Sequence, residues 1–383
     1  MKILVLCSTL DLSKPFGATP AIWQLFKGLY EEGCLPLIIP YHGHAIDNFW
    51  WRCFENPNYI SGMMLEKLMK VAGSSATTLI RSSVTPSLAR SFAKPKLFKV
   101  IKKILRQETD IGALIIMGVP VNHLNGLANK VREIKNIPII YYDLDLPTSL
   151  PSHGGFTFNY YNGADLREYD SFIINSEGSA GQLRELGASR INVVHYGVDP
   201  DVYRRLTVEE QDIDVFFFGN GGRARAKNIK MMIAEPSIAL KHEFLVSGRN
   251  FDVDLGNSKL IPALSFSEWR NYCCRARINL NVAREEHAKT FATSSSRPFE
   301  LAAMQCCIVS APYNGIDKWF DTRREILIAN SSKECIELYQ MLMDDRELRM
   351  KMGAAASERV KKEHTSRHRA KQIIEIVRRF KVS

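Results

Sequence analysis

The sequence predicts an α/β protein of two doubly wound domains in tandem. At 383 residues the chain exceeds what one ordinary hydrophobic core organises. Short apolar runs rich in Ile, Val and Phe recur in two series, separated by amphipathic stretches long enough for helices. The runs lack polar alternation, which marks strands buried on both faces and hence parallel sheets covered by helices.

In the first series the strand candidates are Lys2–Cys7, Pro36–Pro40, Ala113–Met117, Ile137–Tyr142, Ser171–Asn175 and Ile191–His195. The second comprises Asp214–Phe218, Glu243–Val246, Ile278–Val282, Ile308–Ser310 and Ile326–Ile328. Between them the polar, proline-containing stretch YGVDPDVYRRLTVEEQD reads as a linker. The expected organisation is therefore an N-terminal domain over residues 1–196, a linker over 197–212, a C-terminal domain over 213–365 and a last helix over 366–383 that packs back on the first domain. Met350–Arg359 and His364–Arg379 carry the helical signal at the end of the chain.

An apolar share of 45% and a charged share of 24% belong to a folded, water-soluble chain. No apolar run approaches the ~20 residues that span a bilayer. The opening MKILVLCSTLDLS reads as a buried strand rather than a signal peptide, because Asp11 follows its short apolar run at once. The eight cysteines form no CxxC or Cys/His ligand spacing, and CysCys pairs sit in apolar settings, as reduced buried thiols do in cytosolic proteins. A cytoplasmic location follows, either free or peripheral on the inner face of the membrane.

The net charge of +10 points to an anionic partner or to a basic surface without one. Residues 81–106 concentrate it: Arg81, Arg90, Lys94, Lys96, Lys99, Lys102, Lys103 and Arg106, with no acidic residue. From Pro95 on, Leu97, Phe98, Ile101, Ile104 and Leu105 fall near helical spacing. The segment reads either as an amphipathic helix on an anionic membrane or as a core-facing helix with a solvated basic side.

Four segments carry candidate chemistry. After the first strand, Gly17, Thr19 and Pro20 open a helix whose N-terminus suits a phosphate, although GxGxxG is missing. At the start of the second series, VFFFGNGGRARAK runs a buried strand into Gly219, Gly221 and Gly222, then Arg223, Arg225 and Lys227. Glycines admit close backbone approach by a ligand, and fixed cations stabilise a departing diphosphate. In SSSRPFELAAMQCCIVSAP, Ser296 and Arg297 precede Glu300, which falls in the first turn of a helix; its carboxylate can accept hydrogen bonds from ribose hydroxyls or cap free amides. In NIPIIYYDLDLPTSLPSHGG, Asp143 and Asp145 follow a buried strand, with His153 beyond. They suit a general base or a sugar-facing hydrogen-bond partner, as does His123, or serve as loop caps.

From Ile278 on, INLNVARE, RPFELAAMQCCIVSAP, REILI and DDRELRMKMGAAASERVKKEHTSRHRAKQI, with VVHYGVDPDVYRR upstream, resemble GT-B glycosyltransferases, especially the spore-maturation-type group related to family 4. The resemblance covers residues ~170–380 most closely. It implies two Rossmann-like domains facing each other across a cleft, a nucleoside-diphosphate sugar as donor substrate and hexosyltransferase-like chemistry. It implies no cofactor and no required metal. It further implies that Glu300 binds the donor ribose, that Arg223, Arg225 and Lys227 lie at the diphosphate, and that Ile261–Leu264, with Leu264, forms the base-recognition loop. The paired glutamate of family 4 is replaced by Ala292, while Glu285 and Glu286 lie out of register, so the anomeric outcome is not inherited.

The function expected is transfer of a sugar to an acceptor hydroxyl of a glycan, a lipid-linked molecule or a small molecule. The alternatives are a nucleotide-sugar epimerase or hydrolase of the same fold, and a basic nucleic-acid-binding protein. The last is disfavoured because residues 81–106 offer only Phe92 and Phe98 for base stacking. Tyr41–Val71, with Trp50, Trp51 and Phe54, lines an acceptor site or belongs to the core.

Overall fold

The structure, a computed structural model, describes residues 1–12, 19–71, 84–153 and 159–380, with the side chains of 66 and 68–71 left aside. Gly17 and Arg81 lie outside the described residues. The chain divides into two compact units, one of Met1–Asp11, Ile22–His195 and the residues from Arg369 on, the other of Leu12–Ala21 and Tyr196–His368.

The first unit is built on a seven-stranded parallel sheet in the order β3-β2-β1-β4-β5-β6-β7. Its strands are β1 (Lys2–Thr9), β2 (Leu35–His42), β3 (Arg52–Cys53), β4 (Ile111–Met117), β5 (Ile139–Asp143), β6 (Ser171–Ile174) and β7 (Ile191–Val193). The second unit repeats the plan with six strands ordered β10-β9-β8-β11-β12-β13. These are β8 (Ile213–Asn220), β9 (Phe244–Arg249), β10 (Lys259–Ile261), β11 (Ala276–Asn281), β12 (Ile308–Ser310) and β13 (Leu327–Ile328). All pairings in both sheets are parallel. β4 is buried along its whole length, as expected of a strand covered on both faces.

In each sheet the order reverses once, between β1 and β4 in the first and between β8 and β11 in the second. Outside the carboxyl ends of such strands the loops diverge and leave a crevice, the usual ligand position in open α/β sheets. In the second unit the connections that follow β8 and β11 carry Gly221–Lys227 and the helical Ser296–Glu300.

One reading of the sequence changes. The stretch expected as a linker is built into the second unit: Val198 pairs with Thr365, and Tyr203 is fully buried. A buried aromatic ring anchors the segment where polar composition suggested a tether. In the basic segment, the helix Lys94–Gln107 buries Leu97, Ile101, Ile104 and Leu105 in the first unit's core. That face of the helix is core-facing, one of the two readings left open for the segment, and its basic side stays in solvent. Trp51 likewise belongs to the core, its ring edge-on to Trp23 at 4.7 Å.

Candidate functional site

The site in the second unit rests on an aromatic floor. Phe218, near the end of β8, stacks flat on Trp269 with ring centroids 5.3 Å apart and planes 4° off parallel. Trp269 is placed by a capping box: Ser265 Oγ accepts from the Glu268 amide, and Glu268 Oε2 accepts from the Ser265 amide at 2.8 Å. That pair starts the helix Phe266–Arg275 and fixes its first turn beside β8. Leu264 joins the same apolar cluster, and Ser247 Oγ donates to the Pro262 carbonyl at 2.8 Å, holding the Ile261–Leu264 loop to β9.

On this floor lies the Arg297 guanidinium, 4.3 Å from the Trp269 ring centroid and 4.9 Å from that of Phe218. Contact of a cation with two ring faces is favourable and orients the planar group. Its Nη1 stands 3.5 Å from Glu300 Oε2 and makes no hydrogen bond, although the atom is buried. Glu300 itself is 5% exposed, and its Oε1 accepts from the Tyr203 hydroxyl at 3.2 Å. A buried carboxylate is tolerated only with such partners.

Glu300 is the fifth residue of the helix Ser296–Ala303, just past the first turn in which the sequence placed it. It therefore does not cap the helix start, and its partners are side chains rather than free amides. Ser295 stands at the N-cap without a side-chain bond, and Ser295 and Ser296 are half-buried. Ala292, where the paired glutamate is missing, is fully buried in left-handed conformation (φ 45°).

The glycine-rich loop behaves differently from expectation. The Gly221 and Gly222 amides donate to the carbonyls of Arg249 and Asn250 at 2.9 and 2.6 Å. A Cβ on Gly221 would lie 2.5 Å from the Asn250 oxygen, and one on Gly248 only 1.7 Å from the Gly219 oxygen. Gly221 and Gly248 thus let the ends of β8 and β9 approach one another, while Gly222 takes φ 58° with open space where a Cβ would lie. Arg225 is also committed: Nε donates to Val282 O at 2.8 Å and Nη1 to Asn220 O at 3.1 Å. It staples the end of β8 to the chain leaving β11. Arg223 and Lys227 are exposed. Lys227 lies near Glu285, whose pKa is lowered first by its hydrogen bond from Lys289, with Lys227 adding to it.

In the first unit the sequence-predicted acids part company. Asp143, at the end of β5, is buried, and its oxygens accept from the Asp145 amide at 2.8 Å, the Ser149 hydroxyl at 2.6 Å and the Tyr161 hydroxyl at 2.5 Å. Burial pushes its pKa up, and those donors pull it back. Asp143 organises its own loop, which leaves it poorly placed as a base for an acceptor. Asp145 and His153 are partly exposed, His153 Nδ1 lying 3.0 Å from Ser152 Oγ. His123 is buried against Tyr41, whose hydroxyl lies 2.8 Å from His123 Nδ1, and burial lowers the imidazole pKa to about 3. It is a neutral core residue at physiological pH.

Sequence reasoning missed Tyr203, Phe218 and Trp269. Tyr203 sat in the supposed linker, while Phe218 and Trp269 read as ordinary core residues.

Residues 229–375 match a family model described as glycosyl transferase-like. The whole chain superimposes on solved GT-B enzymes. Sucrose-phosphate synthase from Thermosynechococcus elongatus matches with a TM-score of 0.68 at 12% identity, covering 100% of this chain and 99% of that one. A glycosyltransferase from Rickettsia africae gives 0.62 at 12%, covering 99% and 97%. Anabaena HepE in complex with UDP-glucose gives 0.61 at 13%, covering 98% and 99%. A sequence search of curated proteins returned no match. The fold is the GT-B glycosyltransferase fold, and the family-model match lies in the C-terminal part of the chain. No helix among the described residues is long and apolar enough to cross a membrane.

Proposed function

We propose that the chain is a glycosyltransferase that takes its sugar from a nucleoside diphosphate held in the second unit, at the crevice between β8 and β11. The observation that carries this reading is Glu300, a nearly buried carboxylate held by Tyr203 and Arg297 over a two-ring aromatic floor. Holding a charge in such a place is costly, and a polar ligand that hydrogen-bonds it repays the cost. A ribose diol presents two donors suited to one carboxylate. The UDP-glucose complex of HepE, in the same fold, supports a nucleotide-sugar donor.

In this reading Glu300 fixes the ribose, and the exposed Arg223 and Lys227 offset the charge that builds on the departing diphosphate. Arg225 holds the loop that presents them. Leu264 and its loop face the base, and Ser296 offers a further donor. In the first unit Asp145 and His153 are the remaining candidates for a general base, because Asp143 is committed to its loop. No metal is required where cations of the chain cover the diphosphate.

The test is a thermal-shift panel of nucleoside diphosphates and their sugars on the wild type and on Glu300→Ala. One base class should raise the melting temperature of the wild type, and the variant should lose that rise. If no nucleotide shifts the wild type, the donor site is not here.

A further inference from the structure

The first unit presents an apolar and basic surface that the donor site does not use. In the stretch 84–107, helical throughout with a π-turn at Ala89–Ala93, solvent-exposed positions recur at 84, 88, 92, 96, 99, 103 and 106. The first three are Val84, Leu88 and Phe92; the last four are Lys96, Lys99, Lys103 and Arg106. One exposed stripe thus changes from apolar to basic along its length. It is separate from the buried face formed by Leu97, Ile101, Ile104 and Leu105.

A second helix starts beside the π-turn. Asn58 Nδ2 donates to the Ala93 carbonyl at 3.1 Å, so the start of the helix Tyr59–Val71 abuts the π-turn. That helix exposes Ile60, Met63, Met64 and Lys67 at one-turn spacing. Ile60 and Phe92, beside the joint, are 63% and 65% exposed. Water-exposed apolar side chains of this size, edged by cations, mark an interaction surface. Lys96, Lys99, Lys103 and Arg106 make no ion pair with any described residue, so their charge is available to an anionic partner.

We propose that this surface docks on an anionic lipid bilayer, with Leu88 and Phe92, and Ile60 beside the joint, entering the interface and the basic stripe lying on the headgroups. Charge complementarity selects an anionic occupant, and the exposed apolar side chains select an apolar interior behind that charge. A nucleic acid would satisfy only the charge, since Phe92 is the one exposed ring available for base stacking in the stripe.

The experiment is flotation of the full chain with phosphatidylcholine vesicles, with and without phosphatidylglycerol, beside a single-stranded oligonucleotide control. The wild type should float only with the anionic vesicles, and increasingly less as salt rises. Removing three charges by Lys96→Gln, Lys99→Gln and Lys103→Gln should weaken partitioning on the order of a hundredfold. Leu88→Ser with Phe92→Ser should abolish it while leaving the melting temperature in place. Phe92→Trp gives a second readout, a blue-shifted emission on vesicle binding. Equal binding to neutral vesicles, no binding to anionic ones, an unshifted tryptophan, or charge-dependent binding confined to the oligonucleotide would each overturn the proposal.

Discussion

Exchanging Arg297 for Met removes the cation beside Glu300 while keeping a flexible chain over Trp269 and Phe218. The carboxylate is 5% exposed and keeps only the Tyr203 hydroxyl at 3.2 Å. Stripping the partner from a fully buried pair costs 3–5 kcal/mol. The Arg297 side chain retains 25% exposure, so the low end applies, about 3 kcal/mol, and the lost cation–π contacts add about 1 kcal/mol. Glu300→Gln costs less, about 1–2 kcal/mol, because the amide oxygen still accepts from Tyr203 and Arg297 keeps its rings and some water. In the double variant neither charge is stranded, and its cost should fall short of the sum by roughly 1–3 kcal/mol. Calorimetric melts are the suitable assay, since the two units can unfold as separate transitions. Additivity within about 0.3 kcal/mol would refute the view that Arg297 holds the Glu300 charge in place.

Three further outcomes follow from the same geometry. Gly248→Ala drives a Cβ to 1.7 Å from the Gly219 oxygen at φ 151° and should cost about 3 kcal/mol or more, whereas Gly181→Ala, in open space in the helix Ala180–Glu185, should gain up to about 1 kcal/mol; urea titration separates them. Arg223→Ala and Lys227→Ala should change stability by less than about 0.5 kcal/mol yet weaken nucleoside diphosphates more than nucleosides, while Arg225→Ala should cost about 1.5–3 kcal/mol through its two carbonyl bonds, as calorimetric titrations and melts would record. Because His123 falls from 6.5 to about 3, its contribution to stability is complete above pH 6.5 and is lost as pH falls toward 3. By pH 5 the loss is about 2 kcal/mol, and His123→Gln should remove that part of the pH slope in urea titrations.

The sheets were legible because buried parallel strands write themselves as apolar runs: Ile308–Ser310 matches its strand, and the other ten runs lie within a few residues of theirs. Arg52–Cys53 and Lys259–Ile261 were not legible, being two- and three-residue edge strands with charged residues that carry no such run. In the site, Glu300 could be singled out from its neighbourhood, but its depth could not, because helix starts are blurred by one or two residues. Tyr203 was hidden because composition weighs a segment as a whole, and one buried ring decides the fate of this one. Gly221, after β8, was legible only in part for a related reason. Glycine reports that something approaches closely, and only the structure identifies that neighbour as the end of β9.

The most direct measurement is calorimetric titration with the best-binding nucleoside diphosphate and with its 2′-deoxy form, on the wild type and on Glu300→Gln. If Glu300 accepts from the ribose, the wild type should prefer the ribose form by at least about tenfold, from charge-assisted bonds of about 1.5–3 kcal/mol, and the variant should barely distinguish the two. Equal affinities in the wild type, or a preference that survives in the variant, would contradict the assignment of the donor site to Glu300.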